Sequence, residues 1–437
     1  MRIFAPQLSL MKLRILFLFS LLLTSRIFAQ DTLTVMHYNL LYYGEVTGFC
    51  NNSNNSLSMK DPHLRTILNY VKPDIFTVNE ISSNTGVHQH LLDQNLNIGG
   101  VGHFRKAGFN PVAGSNIVNM LYYDSRKLRL KKQSVAQSYV RDVDVYELYY
   151  YSNDLPQGDT AFIICVVGHL KAGNSSSDAG ARKVMAENTM KYLEQRYKHE
   201  NVLFMGDFNL YSGNEAAFQQ MINYSNADTR LIDPIGQIGD WNNNSFYASV
   251  HTQSTNTSSN DCKSGGGLDD RFDFILISDE VRFGTKKVRY VQQSYESVGQ
   301  DGNRFNSTVV SPANSSVPPN VATALFNMSD HLPVALKLRV DKVLSTGNIT
   351  TTPFLASLAP NPAGEMAQLM FYSSREQAMQ ICLFNSSGIM LRELDMIAQT
   401  GRQTIDLSLN GLSGGFYVVR LTDSEGNREQ IKLVKSL

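Results

Sequence analysis

The stretch NVLFMGDFN, Asn201 to Asn209, is an apolar run of strand composition that ends abruptly in a carboxylate and an amide, Asp207 and Asn209. Apolar runs of this length bounded by Gly and Asx residues read as buried strands entering a turn. On an extended chain, residues two apart project to the same side, so Asp207 and Asn209 are expected to face one space together; Asp and Asn after a strand also simply make turns. The construction recurs. LTVMHYN closes on Asn39, PDIFTVNE on Glu80 and FIICVVGHL on His169, while NMSDHLPV brings Asp330 and His331 after a long loop. RFDFILIS carries Asp273 inside a sixth run. Polar residues held at strand ends can converge on one mouth of a sheet and share a substrate.

The inventory is chemical as well as positional. Carboxylates, amides and imidazoles at one mouth suit a hard divalent cation together with a general acid and base. Asp330 beside His331 supplies a ligand and a base, and Asp273 is available to orient that imidazole. The chemistry these residues suggest is hydrolysis of a phosphate ester.

Working outward, the 437 residues are 42% hydrophobic, enough for more than one domain and a large core. Lys+Arg and Asp+Glu are both 39, so no global basic field points to nucleic acid or an anionic membrane. Residues 1–30 read as a secretory signal peptide: Lys12 and Arg14 precede the apolar stretch Ile15 to Leu23, small residues lie near Ala29, and Met11 is an alternative start. That stretch is too short to span a bilayer. Of four cysteines, Cys165 and Cys382 lie in apolar strands, whereas Cys50 and Cys262 lie in polar loops where free thiols would oxidise; Cys50 and Cys262 are the expected disulfide.

Between residues 31 and 340 strands alternate with amphipathic helices. Leu64, Ile67, Leu68 and Val71 take helical spacing over His63 to Val71 and stop before Pro73. A second helix starts near Ser177 or Asp178 and aligns Ala186, Met190, Leu193 and Tyr197. The run YELYYYS, Tyr146 to Ser152, reads as a strand. The polar loops Asn51 to Ser58, Asn242 to Asn260 and Asn306 to Asn320 are candidate rims of the site. DKVLSTGNITTTPF, residues 341–354, is a linker, and residues 355–437 alternate short strands with Gly and Ser turns, as in a small β-sandwich.

Residues 31–340 resemble the endonuclease/exonuclease/phosphatase superfamily, which includes deoxyribonucleases, apurinic endonucleases, sphingomyelinases and inositol-phosphate phosphatases. The motifs carrying the resemblance, in order, are YN, VNE, GHL, GDFN, RFDFIL and SDH. It implies an α+β fold, a four-layer α/β/β/α sandwich. It further implies a Mg²⁺ site at Glu80 with Asn39 and Asp330, with Mn²⁺ or Ca²⁺ as alternatives. His331 paired with Asp273 would activate or hold the attacking water, Asp207 and Asn209 would position water and phosphate, and His169 would contact phosphate or protonate the leaving group. Arg141, in VRDVDVY, resembles a phosphate-contacting arginine and reads equally as a strand residue. The expected activity is that of a secreted monomeric phosphodiester hydrolase acting on nucleic acid. A sphingomyelinase-like enzyme, a phosphomonoesterase and an inactive binding protein are the alternatives. No long basic helix for duplex DNA and no aromatic membrane-inserting hairpin accompany these motifs. The tail segments APNPAGE, LFNSSGIML and GLSGGFYVVRLTD resemble the C-terminal sorting domain of type IX secretion cargo, an immunoglobulin-like sandwich, which implies that export machinery as a partner.

Overall fold

The computed structural model describes residues 30–151, 160–259, 261–341, 354, 356–373, 375–386, 388–424 and 427–436. The expected leader, up to residue 29, and residues 342–353 of the expected linker lie outside the described residues.

Strands β1 (Gln30–Tyr43), β2 (Ile75–Ser82), β3 (Phe104–Lys106) and β4 (Ile117–Asp124) begin one sheet. The chain then builds a second from β5 (Leu128–Gln137), β6 (Val143–Tyr150), β7 (Phe162–His169), β8 (Val202–Asp207), β9 (Leu231–Ile232) and β10 (Asp273–Ser278). It returns to the first with β11 (Val288–Tyr290), β12 (Glu296–Ser297) and β13 (Val334–Asp341). The strand orders are β11-β13-β1-β2-β4-β3, with β12 also on β13, and β5-β6-β7-β8-β10-β9. Each sheet is antiparallel except for one central parallel pair, β1 with β2 and β7 with β8.

Helices α1 (Leu57–Val71), α2 (Thr85–Leu91), α3 (Ser176–Arg196), α4 (Ala216–Ile222), α5 (Asp279–Phe283) and α6 (Pro319–Met328) connect the strands. Strand alternation assigns the layers. Ile163, Cys165 and Val167 of β7 join Leu203, Met205 and the strands of the first sheet in one core, while Ile164 and Val166 face Met185, Met190, Leu193 and Phe218 of α3 and α4 in another. With α1 and α6 packed on the far side, the result is the four-layer sandwich. Both faces of β7 and β8 are buried, which is why their sequences run apolar without a polar alternation.

Helix α1 begins at Leu57, earlier than the His63 expected from periodicity, and runs through Pro62. Tertiary bonds hold that early turn: Lys60 Nζ donates to the carbonyls of Leu40 (2.6 Å) and Leu41 (2.7 Å), and the Tyr43 hydroxyl donates to Asp61. Helix α3 starts at Ser176, with Ser175 and Asp178 forming a capping box. The buried Arg182 on α3 donates to the Lys171 (2.9 Å) and Gly173 (2.7 Å) carbonyls and pairs with Glu215 at 2.8 Å. It thereby ties the loop after His169 to the loop after Asn209.

Strands β14 (Ser357–Ala359), β15 (Met366–Ser373), β16 (Gln377–Asn385), β17 (Met390–Ala398), β18 (Gly401–Ser408), β19 (Gly415–Asp423) and β20 (Arg428–Lys435) follow. They form two antiparallel sheets, β14-β15-β18 and β17-β16-β19-β20, over a core that includes Leu369, Phe371, Ile381, Val419 and Leu433.

Candidate active site

Register places the polar residues before any side chain is considered. In the first sheet Asn39 lies opposite Asn79, one residue before Glu80; in the second, His169 lies opposite Asp207 and Asp207 opposite Asp273. Glycine permits the close approach of β7 and β8, because a Cβ on Gly206 would overlap the Gly168 carbonyl oxygen. Elsewhere the backbone bends to aim its groups. Leu41, Tyr42, Glu80 and Asn209 all hold positive φ, at 48°, 48°, 55° and 50°. Non-glycine residues there cost about 1 kcal/mol or more each, so the surrounding contacts must fix them.

Two expectations about local placement need correction. Asp330 and His331 do not follow a strand: α6 ends at Met328 and β13 starts at Val334, so the apolar run before them is helical. Its length and composition could not separate a buried helix from a strand. Asn209 does not share an extended face with Asp207 either. Its backbone N–H donates to Asp207 Oδ1 at 3.0 Å in a turn, and its Nδ2 lies 3.4 Å from the Leu170 carbonyl.

The side chains of the two sheets meet at one mouth. Asn39 Nδ2 donates to both Glu80 Oε1 (3.1 Å) and Asp207 Oδ2 (2.9 Å), so Asn39 spans the gap between the sheets with a donor. Its Oδ1 accepts from the Leu41 N–H. Tyr42 N–H donates to Glu80 Oε2 at 3.2 Å. His169 Nε2 lies 3.5 Å from Asp207 Oδ2 and 3.8 Å from Glu80 Oε1. His331 Nδ1 donates to Asp273 Oδ2 at 2.8 Å, and its Nε2 lies 3.7 Å from Asp207 Oδ2 and 2.8 Å from the Gln253 amide. Half-buried Arg141 donates to the Leu170 carbonyl at 3.0 Å, next to His169.

Electrostatics drive the two imidazoles apart. Burial, then the charge of Arg141, push His169 well below its ordinary value, so it is neutral near pH 7. Burial acts the same way on His331, but Asp273, Asp207 and Asp330 outweigh it and hold the proton well above the usual range. Burial, Asp273 and Glu80 push Asp207 up to about 7, and burial with Asp330 raises Glu80. Titratable groups pushed in opposite directions at one mouth are the arrangement acid–base chemistry needs.

A divalent cation fits this set. Glu80, His169 and Asp207 each offer a ligand atom, and those atoms lie within 4.8 Å of one another. Asp330 Oδ2 accepts from the Ser264 N–H at 2.9 Å, while its Oδ1 is buried with no hydrogen-bond partner among the described residues. An orphaned buried carboxylate oxygen beside other acids is costly unless a cation answers it.

Sequence reading missed several supports. Asn79 Oδ1 accepts from the Asp207 N–H at 2.8 Å, joining the two sheets behind the mouth, and Asn79 Nδ2 donates to Asn119 Oδ1 at 2.7 Å within the first sheet. Ser329 Oγ donates to the Asn39 carbonyl at 2.8 Å. Asn79 sits inside the VNE motif and Ser329 inside SDH, so motif position was the available signal; Gln253 lies in the Asn242 to Asn260 loop expected at the rim, whereas Ser264 lies past it in a stretch that gave none. Cys50 and Cys262 form a disulfide across 212 residues, and Cys165 and Cys382 are buried free thiols.

Residues 357–436 match the family model described as the secretion system C-terminal sorting domain. The C-terminal sandwich is therefore a type IX sorting domain, and the protein is secreted or held at the cell surface. Among the described residues no helix is long and apolar enough to cross a membrane. No curated protein matches the chain. Solved structures similar to it include an endonuclease/exonuclease/phosphatase from Beutenbergia cavernae (14% identity, 92% of this chain and 99% of that one, TM-score 0.42). A family protein of that name from Bacteroides thetaiotaomicron (15%, 74% and 99%, 0.43) and a mannosyl-6-phosphatase from the same organism (14%, 70% and 99%, 0.40) are also similar.

Proposed function

We propose that residues 31–340 form a secreted, divalent-cation-dependent phosphate ester hydrolase, with extracellular polynucleotide as its substrate. The observation that carries the reading is the meeting of Glu80, His169, Asp207 and the His331–Asp273 pair at one mouth, drawn from both sheets. Glu80 and Asp330 would anchor Mg²⁺, and His169 and Asp207 offer ligand atoms that lie within 4.8 Å of one another and of one from Glu80. A bound divalent cation would withdraw charge from the phosphoryl oxygens and offset the carboxylate field that keeps His331 protonated.

The chain's own groups divide the remaining work. Asp273 fixes the His331 ring through Nδ1, and Nε2, which also meets the Gln253 amide, faces the mouth, where it can take a proton from water and return it. Asp207 Oδ2, within 3.7 Å of that Nε2, orients the water. Neutral His169 and the Asn209 amide hold the phosphoryl group by hydrogen bonds, Asn39 stays committed to Glu80 and Asp207 beside the cation site, and Arg141 stands beside them as a cation for a phosphate oxygen.

The test is a substrate panel with the exported protein: plasmid, single-stranded DNA, RNA, sphingomyelin micelles and bis-p-nitrophenyl phosphate, each with Mg²⁺ or chelator. Cation-dependent cleavage of a polynucleotide is the expected result. Cleavage of only bis-p-nitrophenyl phosphate or of sphingomyelin would move the substrate assignment, and no cation-dependent turnover on any substrate would overturn the reading.

A further inference from the structure

We infer that the Cys50–Cys262 disulfide is a positioning device for Asp330, so that the cation site is complete only in the oxidised protein. The inference rests on the proposed role of Asp330 as a ligand.

The covalent path is short on one side. Cys50, itself 2% exposed, follows the turn that leaves β1, the strand carrying Asn39. Cys262 is followed at once by Lys263, whose ammonium donates to the Phe326 carbonyl of α6 at 2.6 Å. Next comes Ser264, whose N–H is the donor to Asp330 Oδ2 at 2.9 Å. No other hydrogen bond holds that carboxylate among the described residues, since Oδ1 is buried without a partner. One backbone donor therefore sets which way Asp330 points, and that donor sits two residues past the bridge.

The rest of the loop is held by Ser254 Oγ to the Ser264 carbonyl (2.6 Å), Ser254 N–H to the Gly267 carbonyl (2.6 Å) and Gly266 N–H to the Thr257 carbonyl (3.1 Å). These bonds lie within the same polar segment; outside it, Lys263 contacts α6, and Thr255 donates through its hydroxyl to the Ser329 carbonyl at 2.7 Å and through its N–H to the Asp330 carbonyl at 3.0 Å. The bridge is what ties the segment covalently to the chain that leaves β1. Reduction by a dithiol breaks the S–S bond, places two electrons and two protons on the Cys50 and Cys262 sulfurs and converts the dithiol to its disulfide. The loop can then withdraw its N–H, and Asp330 loses its orientation.

Thiols stay reduced in the cytosol and oxidise outside it. A protein bound for the cell surface would thus carry an incomplete cation site while inside the cell, where nucleic acids and phosphate esters are abundant.

The experiment measures Mg²⁺ binding by isothermal titration calorimetry on the exported full chain, oxidised or reduced with a dithiol, with circular dichroism to verify the fold. Loss of an outer-shell support typically weakens metal binding about 10- to 100-fold. Reduction of the native protein is expected to raise the Mg²⁺ dissociation constant by about tenfold. Cys50→Ser with Cys262→Ser should match the reduced protein, and if that double variant does not fold, Ser264→Pro removes the donor while keeping the bridge. Asp330→Asn should bind weakly in both redox states, with no further loss on reduction. Equal affinity of the oxidised and reduced native protein overturns the inference. An equal loss on reduction in Asp330→Asn overturns it too, because the bridge would then act elsewhere. Native affinity in Asp330→Asn instead removes the ligand role of Asp330 on which the inference stands.

Discussion

In the N-terminal sandwich the strand ends at one edge carry Asn39, His169, Asp207, Asp273 and, beside them, Asp330 and His331 into the protein, each 6% exposed or less. The C-terminal sandwich packs two sheets over a core in the same way, yet among its described residues the buried polar residues are Ser373 and Lys435, with the Ser357 hydroxyl and Arg420 Nε as the buried atoms lacking a partner, and its strand ends turn through Gly, Ser and Asn at the surface. Burying a polar group without a full set of partners costs about 1–3 kcal/mol, so a domain that buries many acids and imidazoles together gives up stability to do so. The sorting domain gives up nothing comparable. Chemistry is to be sought at the mouth whose polar groups are over-concentrated and incompletely paired, and not at the sandwich that buries few of them.

The largest effects are expected at the mouth itself. His331→Ala is expected to lower turnover by about 10² to 10⁴, the range for lost general acid–base help, and Glu80→Ala to abolish the cation-dependent rate. Single-turnover assays at saturating Mg²⁺ with a circular dichroism check would expose the error if either variant kept the native rate.

Arg182 tests whether the mouth depends on structure behind it. Its guanidinium, 1% exposed, satisfies Glu215 and two loop carbonyls at once. Arg182→Met strands those acceptors, and urea unfolding should register a loss of about 3–5 kcal/mol. A loss under 1 kcal/mol would show that the two loops hold themselves.

Asp144 asks whether an acid just outside the mouth carries the same strain. Burial pushes it up to about 7, against which the Asn119 Nδ2 donor at 2.9 Å offers partial relief. Because its folded value lies above its unfolded one, the folded state keeps a proton the unfolded chain has lost, and stability falls as pH rises from about 4 to about 7. Asp144→Asn removes that fall. Relative to the native protein it should gain about 1 kcal/mol across that window, after allowance for partial exposure, when melting is followed as a function of pH. A constant offset at all pH values would contradict the assignment.

The smallest expected effect is on the other side of the comparison. Removal of residues 345–437 should leave turnover per molecule unchanged, because every proposed active-site residue precedes Val340, while the protein disappears from the medium and collects in the periplasm. Truncated protein secreted at native levels, or folded and inactive, would end the division of labour between the two sandwiches.

Much of this was legible because it is local. Apolar runs with Gly and Asx ends announced β2, β7, β8 and β10, the helical stripe announced α3, and the texture after Val340 announced the second sandwich; each signal lies within one element and depends on period and turn chemistry. The early start of α1 was not legible, since Lys60 and Asp61 hold it through contacts with β1. Nor was the turn at Asn209, where the Asp207 carboxylate captures the backbone N–H, or the helical run before Asp330.

Which residues carry polar chemistry could be read from the chain, because a strand end announces itself in a few neighbouring residues. How they are wired could not. Asn39 bridging Glu80 to Asp207, Asn79 bonding the Asp207 backbone, and Ser264 orienting Asp330 join segments separated by 41 to 168 residues. Such pairings are set by sheet register and loop closure, and only the folded chain brings their partners within hydrogen-bond reach.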